Sequence, residues 1–490
     1  MNDISPRLAT MDNTIIPLPG MNDGSNVMLR GVCKTVSILH TYTKPKKIIL
    51  IGSDGRNYSY LFKGHEDLHL DERIMQFLSI INRMIAKFGS TISQQNNNNI
   101  NNDRLFIRAR HYSVTPLGNK SGLIQWVEGG HALYNLYKRW LSNRDVSLDE
   151  INKRITANEI FKSKLAEHGM KSENRNDWNV ELLRKVFAEL STETPNDLIA
   201  KELWCSSTNS FDHWNLTQNF ITSNAIMSVI GYILGLGDRH LDNILLDLTT
   251  GEVIHIDYNI CFEKGRTLRV PEMVLCRLTQ NIVNTFGVTG VNGTFRISCE
   301  NVLKILRKGK ETLLTLLEAF VYDPLIDWTP EHEEGFTGAI YGGAKIAQLA
   351  SEGKIIPKKQ MEKENQQTIE RLKQLMKTIE QRNSDWPKID NHNNEQQQQG
   401  LQLLANNKND DNPQQQQTMI ETRRNKRNVY AFSVWKRIRM KLDGRDPDPN
   451  KRLSIYDQVN HLINESISME NLSRMYEGWT RYVFVCFVVG

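Results

Sequence analysis

A predicted loop in the middle of the chain carries four polar side chains of types that can do chemistry: Asp238, Arg239, His240 and Asn243. The loop follows an apolar segment that ends at residue 236 and precedes a strand-like run at residues 244–246. A turn at residues 249–251 and a second strand-like run at 253–256 predict a hairpin. Because a hairpin returns the chain to its starting point, we expect Asp257 to lie beside the loop. The result is a cluster of two carboxylates, an amide and an imidazole.

These residue types suit phosphoryl transfer. That reaction needs a carboxylate to orient and deprotonate the attacking hydroxyl, together with an acid and an amide that hold Mg²⁺ on the phosphates. Asp238 precedes Asn243 by five positions, the spacing of the catalytic Asp and the metal-binding Asn in protein kinases. A simpler alternative is that these polar residues only form a turn and satisfy their own backbone.

The motif Gly-Leu-Gly-Asp-Arg-His-Leu-Asp-Asn at 235–243, followed by His-Ile-Asp at 255–257, resembles the catalytic and metal-binding loops of the phosphatidylinositol 3-kinase-related protein kinases. In that family the metal-binding Asp is usually followed by Phe-Gly, whereas Tyr258 and Asn259 follow it here. This departure and the sequence through residue 272 are similar to the branch of the family that acts in nonsense-mediated mRNA decay. The resemblance implies an α+β fold, with a two-lobed catalytic domain of the PI3K/PI4K type and a small helical C-terminal domain.

The resemblance also implies roles for individual residues. Asp238 is the expected base, and His240 is expected to touch the transferring phosphate. Asn243 and Asp257 are the expected ligands of Mg²⁺, with Mn²⁺ as an alternative, and ATP is the expected phosphate donor. Lys63, at the end of a predicted strand, is expected to grip the nucleotide phosphates.

Asp71 matches the acid that pairs with this lysine in the family. From the residues alone, Lys63 could equally be a solvated lysine at a sheet edge. A hydroxyl-rich and basic hairpin tip containing Thr41 and Thr43 resembles the loop that covers the phosphates. It has no Gly-x-Gly-x-x-Gly motif, so a plain solvated hairpin is the alternative.

Two strands are predicted at residues 105–116 and 123–127, the second leading into the hinge between the lobes. By resemblance, the hinge residues Trp126 and Val127 contact the adenine, and Tyr112 lines the same pocket. Packing in an ordinary core is the alternative for both aromatic side chains.

Length and composition limit the number of domains, the partners and the location that can be predicted. With 490 residues the chain has room for about three domains. A net charge of +5 does not suggest a surface coated with nucleic acid, and we expect no direct DNA binding. The six cysteines lack metal-binding spacing, which favours reduced thiols. We find no signal core or membrane-length apolar run, so we expect a protein of the cytoplasm, with the nucleus as an alternative, that has no membrane partner.

Composition and resemblance predict six regions. They are an N-terminal segment that resembles the junction to the family's large helical region (1–30), an N-lobe (31–127), a C-lobe (128–350), a linker with an amphipathic helix and a disordered Asn- and Gln-rich tract (351–428), a FATC domain with the helix before it (429–483), and a tail without a counterpart in the family (484–490). The helical region itself is missing from this sequence, so a fragment, a split gene product and a short family member are all open.

We expect a serine/threonine protein kinase whose substrate, by analogy, is the RNA helicase of mRNA surveillance at Ser-Gln or Thr-Gln sites. Other decay factors are expected partners. One alternative is a phosphoinositide kinase, in which four basic side chains after the hairpin would meet an acidic headgroup: Lys264, Arg266, Arg269 and Arg277. The other is an inactive scaffold that binds decay factors.

Overall fold

The structure is a computed structural model that describes most of the two predicted lobes and of the C-terminal helices. It describes residues 5–11, 14–20, 27–39, 43–95, 107–118, 120–142, 157–169, 178–268, 270–321 and 433–480. Thr41, the predicted linker at 351–428 and the tail at 484–490 lie outside the described residues.

An antiparallel sheet forms the N-lobe. Its six strands are β1 (Leu29–Val32), β2 (Ser37–Ile38), β3 (Lys46–Gly52), β4 (Asn57–Gly64), β5 (Val114–Gly118) and β6 (Ser121–Gln125). The order is β1-β3-β4-β6-β5, and β2 pairs with β3. Alternate residues of β3 are buried, Ile48 and Leu50 among them, and they pack with Tyr60 and Leu123 in one core cluster. The sheet therefore has one face in the lobe core.

The long helix α2 (His69–Gln95) packs against this sheet. Its stripe of buried apolar residues, which includes Ile74, Leu78 and Ile81, is the amphipathic pattern expected of a helix on a sheet. Asp71 lies in its first turn.

A hinge at residues 126–129 leads into the C-lobe. There β7 (Gly130–Ala132), β8 (Ile244–Asp247) and β9 (Val253–His255) form a small antiparallel sheet. β8 and β9 are the predicted hairpin, with Ile244 opposite His255. This register places the loop before β8 next to the segment after β9.

The C-lobe is otherwise helical. Its helices are α3 (Leu133–Ser142), α4 (Ala157–Glu167), α5 (Val180–Glu193), α6 (Leu198–Ser206), α7 (Ser210–Leu234), α8 (Gln280–Thr285), α9 (Thr294–Lys308) and α10 (Lys310–Val321). All residues of α7 from 220 to 234 are buried, and α9 packs along it. The predicted apolar helix behind the catalytic loop is thus the central helix of the lobe.

Three further helices follow at the C-terminus: α11 (433–443), α12 (Ile455–Ile467) and α13 (Met469–Thr480). α12 packs on α9, and α13 packs on α5 and α4. The predicted α+β, two-lobed fold with a helical C-terminal domain is confirmed. Within the described ranges, no helix combines the length and apolar character that a membrane crossing requires.

One predicted element differs from the structure. The strand expected at 105–116 begins only at Val114, and residues 107–113 are irregular. The side chain of Asn82 on α2 bonds both the N–H and the carbonyl of Ala109, each at 2.8 Å. A side chain here takes the place of a partner strand.

Candidate active site

The loop that carries Asp238 begins where α7 ends. Gly235 caps the helix with φ +61°, a left-handed conformation that glycine adopts without strain, and its N–H donates to the carbonyl of Tyr232 at 3.2 Å. The N–H of Gly237 then donates to the carbonyl of Ile260 at 2.8 Å. The loop is therefore anchored to the segment after β9 before it reaches Asp238.

Asp238 has a constrained backbone. Its φ of +57° is unusual for a residue other than glycine. Its N–H is directed between the two carboxylate oxygens of Glu272, each 2.9 Å away. The Glu272 carboxylate packs closely on Gly237 and Gly265, where any added Cβ would lie within 2.5 Å of its Oε2. Glu272 thus fixes the backbone of the predicted base.

Burial raises the pKa of Asp238 to about 8, and the neighbouring carboxylates of Glu272 and Asp257 act in the same direction against the opposing charge of Arg239. A carboxyl group with such a pKa can accept and release a proton near neutral pH, as a general base requires. The influence of Asp257 shows that the two predicted acids share one electrostatic environment.

His240 lies beside this carboxylate. The N–H of Asp242 donates to its Nδ1 at 3.2 Å, which assigns the ring proton to Nε2, and Nε2 lies 3.8 Å from Asp238 Oδ2. Burial lowers the pKa of His240 to about 4, and the charges of Arg239 and Arg277 contribute. The imidazole is therefore neutral at pH 7 and presents an N–H donor towards the site.

Asn243 and Asp257 have the chemistry of ligands for a hard cation. Asn243 Nδ2 donates to the carbonyl of Asp238 at 3.0 Å, so its amide oxygen is the atom left to bind a metal. The carboxylate of Asp257, which has φ +57°, accepts the N–H of Asn259 at 3.3 Å through one oxygen. No group of three or more His, Cys, Asp or Glu side chains in the described ranges could hold a metal. One amide and one carboxylate fit Mg²⁺, which usually keeps waters and substrate phosphates as its other ligands.

Arg239 connects the two metal-ligand segments. Its buried guanidinium donates to the carbonyls of Gly237 and Ile256, both at 2.8 Å, to that of Asp257, and to that of Asn243 at 3.4 Å. These bonds end on backbone atoms, so they set the path of the chain on both sides of the site. The sequence motif contained Arg239 but gave no hint that it acts through the backbone.

Lys63 approaches from the N-lobe. Burial opposes its charge, but Asp257 and then Glu66 outweigh burial and raise its pKa. Lys63 Nζ donates to Glu66 Oε2 at 2.8 Å. Glu66, rather than the predicted Asp71, is therefore the acid that pairs directly with the lysine.

Asp71 is buried at the start of α2. Its Oδ1 accepts the N–H of Tyr258 at 3.3 Å, while its Oδ2 has no hydrogen-bond partner among the described residues. Burial raises the pKa of Asp71 to about 7, Asp257 adds to the shift, and Lys63 opposes it. Asp71 therefore joins α2 to the residue after Asp257 and acts on Lys63 only at longer range. The position of the two acids in the chain explains this, because Glu66 lies in the connection between β4 and α2 whereas Asp71 lies in the first turn of α2.

The remaining predicted nucleotide residues lie at the hinge, in the segment before β5 and at the hairpin tip. The N–H of Trp126 donates to the carbonyl of Ser59 at 2.9 Å, and the carbonyl of Val127 accepts the N–H of Gly130 at 3.4 Å. Tyr112 is buried and close enough to Tyr258, Asp71 and Asp257 to interact with them electrostatically. Thr43 is exposed at the hairpin tip.

The C-terminal helices hold the segment that follows Asp257. Ser466 Oγ on α12 accepts the N–H of Cys276 at 3.1 Å, and Met475 Sδ on α13 accepts that of Val274 at 3.4 Å. The buried ammonium of Lys441 on α11 pairs with Glu263. Sequence reasoning assigned no role to these residues or to Glu272, because their partners are far away in the chain.

Comparisons with known proteins find two matching family models and several similar proteins. Residues 57–330 match the model of the family described as phosphatidylinositol 3- and 4-kinase, and residues 452–481 match the FATC domain. The chain is similar to serine/threonine-protein kinase SMG1 of Danio rerio, with 52% identity over 360 residues, which is 70% of this chain and 10% of that protein. It is also similar to Smg1 of Drosophila melanogaster, with 49% identity over 344 residues, or 67% of this chain and 10% of that protein.

A solved structure described as the FAT and kinase domain of CtTel1 has the same fold, with a TM-score of 0.60 and 24% sequence identity. The match covers 96% of this chain and 25% of that chain. The chain spans about a tenth of the length of the two curated relatives.

Proposed function

Because the chain belongs to the phosphatidylinositol 3- and 4-kinase family and carries a FATC domain, as predicted from its motifs, we propose that it transfers the γ-phosphate of ATP to serine and threonine side chains of proteins. One arrangement carries this proposal: Asn243 Nδ2 donates to the carbonyl of Asp238, and Arg239 donates to the carbonyls of both Asn243 and Asp257. The charge of Asp257 also acts to raise the pKa of Lys63. Phosphoryl transfer needs these groups together at one cleft.

In this proposal each residue acts through the contacts described above. Asp238 orients and deprotonates the acceptor hydroxyl, and the Nε2–H of the neutral His240 donates to the transferring phosphate. Asn243 and Asp257 would hold Mg²⁺, or Mn²⁺ as an alternative, which supplies positive charge to the phosphate oxygens when bound. Lys63, held by Glu66, binds the phosphates, and Tyr112, Trp126 and Val127 surround the base.

The bonds that the basic residues after Asp257 make within the C-lobe favour a protein acceptor over a lipid headgroup. Arg277 donates to the carbonyl of Arg239 at 2.9 Å, and Arg266 pairs with Glu263 at 2.6 Å. Two of the four side chains proposed to meet a headgroup are therefore already bonded within the C-lobe. Lys264 lies in the same short turn as Arg266, and Arg269 lies outside the described residues.

The finer proposal concerns the substrate and its setting. From the resemblance of its motifs we propose Ser-Gln or Thr-Gln sites of an RNA helicase of mRNA surveillance as the substrate, and other decay factors as partners. The similarity to SMG1 kinases supports the choice of serine and threonine as acceptors. We also propose a cytoplasmic location, with the nucleus as an alternative. Imaging of a tagged chain would test the location, and a purely membrane-bound signal would contradict it.

Labelled ATP tests the activity. The full chain is incubated with Mg²⁺ and ATP in the presence of a Ser-Gln peptide, the same peptide with Gln replaced by Ala, or phosphatidylinositol vesicles. We expect label in the Ser-Gln peptide and none with the Asp257→Ala variant, which should also lose Mg²⁺-dependent ATP binding. Label only in the vesicles would establish a lipid kinase, and ATP binding without transfer to any acceptor would favour a scaffold.

A further inference from the structure

An ammonium group of the N-lobe sheet lies over the aromatic ring of a hinge residue. Lys47 Nζ is 4.1 Å from the centre of the Trp126 ring, which is the geometry of a cation–π contact. No carboxylate of the described residues lies within ion-pair distance of Lys47. The indole is thus the group that attracts this charge.

The sheet register shows where the lysine side chain must run. Lys47 on β3 lies directly opposite Leu61 on β4, and Trp126 follows β6 on the far side of β4. Directly opposite residues share a face of the sheet, and so do residues two apart on one strand. Lys47, Leu61 and Lys63 therefore project from the same face. To reach Trp126, the Lys47 side chain has to cross beneath β4 on the face that carries Lys63.

This path coincides with the place that a nucleotide needs. If the cleft binds ATP as proposed above, the triphosphate lies at Lys63 and the base lies at Trp126. A purine cannot stack on a ring face that an ammonium group covers. We propose that Lys47 is a plug of the base subsite, which the nucleotide displaces on binding.

The exchange has two consequences. The purine replaces the cation–π contact with stacking on Trp126, so part of the stacking energy is offset by the contact that is lost. The released ammonium stays on the face of Lys63, where it can meet the anionic part of the nucleotide. Lys47 should therefore weaken the binding of a bare nucleoside and favour a triphosphate over it.

Calorimetric titration of the full chain with adenosine and with Mg²⁺-ATP tests the plug. We expect Lys47→Met to bind adenosine about two- to fivefold more tightly than the wild type, the size of an exposed cation–π contact. The preference for ATP over adenosine should fall in the same variant. In a Trp126→Leu background, Lys47→Met should leave adenosine affinity unchanged, because the contact is already absent.

Lys46→Met is the matched control. Lys46 is the neighbouring residue on β3, and because side chains alternate along a strand it projects from the opposite face. Its Nζ lies 6.0 Å from the centre of the Phe62 ring. Its adenosine affinity should equal that of the wild type. Equal tightening in Lys46→Met, or no tightening in Lys47→Met while the wild type binds ATP, would overturn the plug and leave the proposed function intact. Failure of the wild type to bind either ligand would overturn both.

Discussion

The two halves of the candidate active site are held in different ways. In the C-lobe half, side chains bond the backbone: the buried Arg239 donates to carbonyls on both sides of the cluster, and the half-buried Glu272 accepts the N–H of Asp238. In the N-lobe half, Lys63 is placed by strand β4 and pairs with Glu66 through side chains that are 17% and 21% exposed.

The difference predicts where the site is fragile. A buried polar group that loses its partner costs about 1 to 3 kcal/mol. An ion pair that water can reach is worth less, because water replaces part of the interaction. Substitutions in the C-lobe half should therefore lower turnover or stability strongly, whereas those in the N-lobe half should adjust nucleotide affinity.

The largest effect is expected from Asp238→Asn. The amide cannot accept the proton of the attacking hydroxyl, so turnover should fall by about 10² to 10⁴ while ATP affinity is retained. Asp242→Asn removes a carboxylate from the same loop and serves as the control, with turnover near that of the wild type. Steady-state rates and ATP titration measure both quantities. A turnover of Asp238→Asn within tenfold of the wild type would exclude Asp238 as the base.

The next effect is expected from Arg239→Met. The carbonyls of Gly237 and Ile256 would lose a buried donor, so the free energy of unfolding should fall by at least about 2 kcal/mol. Mg²⁺-dependent ATP binding should fall with it, because the backbone of both metal-ligand segments is released. Urea unfolding and ATP titration measure the two changes.

Arg184→Met is the control for that experiment. Its side chain is 48% exposed and pairs with Glu181 on the surface of α5, so its loss should change stability by less than about 1 kcal/mol. If both variants lost the same stability, the bonds of Arg239 to the backbone would not be what holds the site.

The sequence was sufficient for those parts of the site that lie close together in the chain. The five-residue step from Asp238 to Asn243 and the hairpin that returns Asp257 are local patterns, and turn residues and strand periodicity specify them. The helix stripe of α2 was readable for the same reason. The family and the fold class followed from these motifs and are confirmed.

The contacts that support the site could not be predicted from the sequence. Each joins positions far apart in the chain, through a side chain that many other residue types could replace. Glu272 meets Asp238 across 34 positions, and Ser466 meets Cys276 across 190. The irregular segment at 107–113 has the composition of a strand, but Asn82 provides the bonds that a strand partner would otherwise supply. Two acids, Glu66 and Asp71, follow Lys63 closely in the sequence. Only the fold of the chain between β4 and the start of α2 shows which of them pairs with the lysine.

Glu272→Gln sharpens the comparison at a smaller scale. The amide keeps one acceptor for the N–H of Asp238 but loses the charge, and a hydrogen bond to a charged group is worth about 1.5 to 3 kcal/mol. We expect turnover to fall about tenfold with the KM for ATP unchanged, since Glu272 positions the base and not the nucleotide.

The Glu272→Ala variant keeps no acceptor, so its turnover should fall further, to about a hundredth of the wild-type rate. A fall caused by general unfolding would raise the KM for ATP and lower the unfolding midpoint together. Equal turnover in the Gln and Ala variants would contradict a role that depends on the acceptor.

The smallest effects separate the two acids near Lys63. Glu66→Gln removes the charge that Lys63 contacts at 2.8 Å, so the KM for ATP should rise about three- to tenfold while turnover changes little.

Asp71→Asn keeps the oxygen that accepts the N–H of Tyr258 and replaces a buried carboxylate whose pKa is already raised to about 7. Its KM for ATP should stay within about twofold of the wild type, because Lys63 keeps its direct partner Glu66. Steady-state kinetics over a range of ATP concentrations measure both variants. If Asp71→Asn raised the KM more than Glu66→Gln, Asp71 would be the true partner of the lysine, and the N-lobe half would rearrange when nucleotide binds.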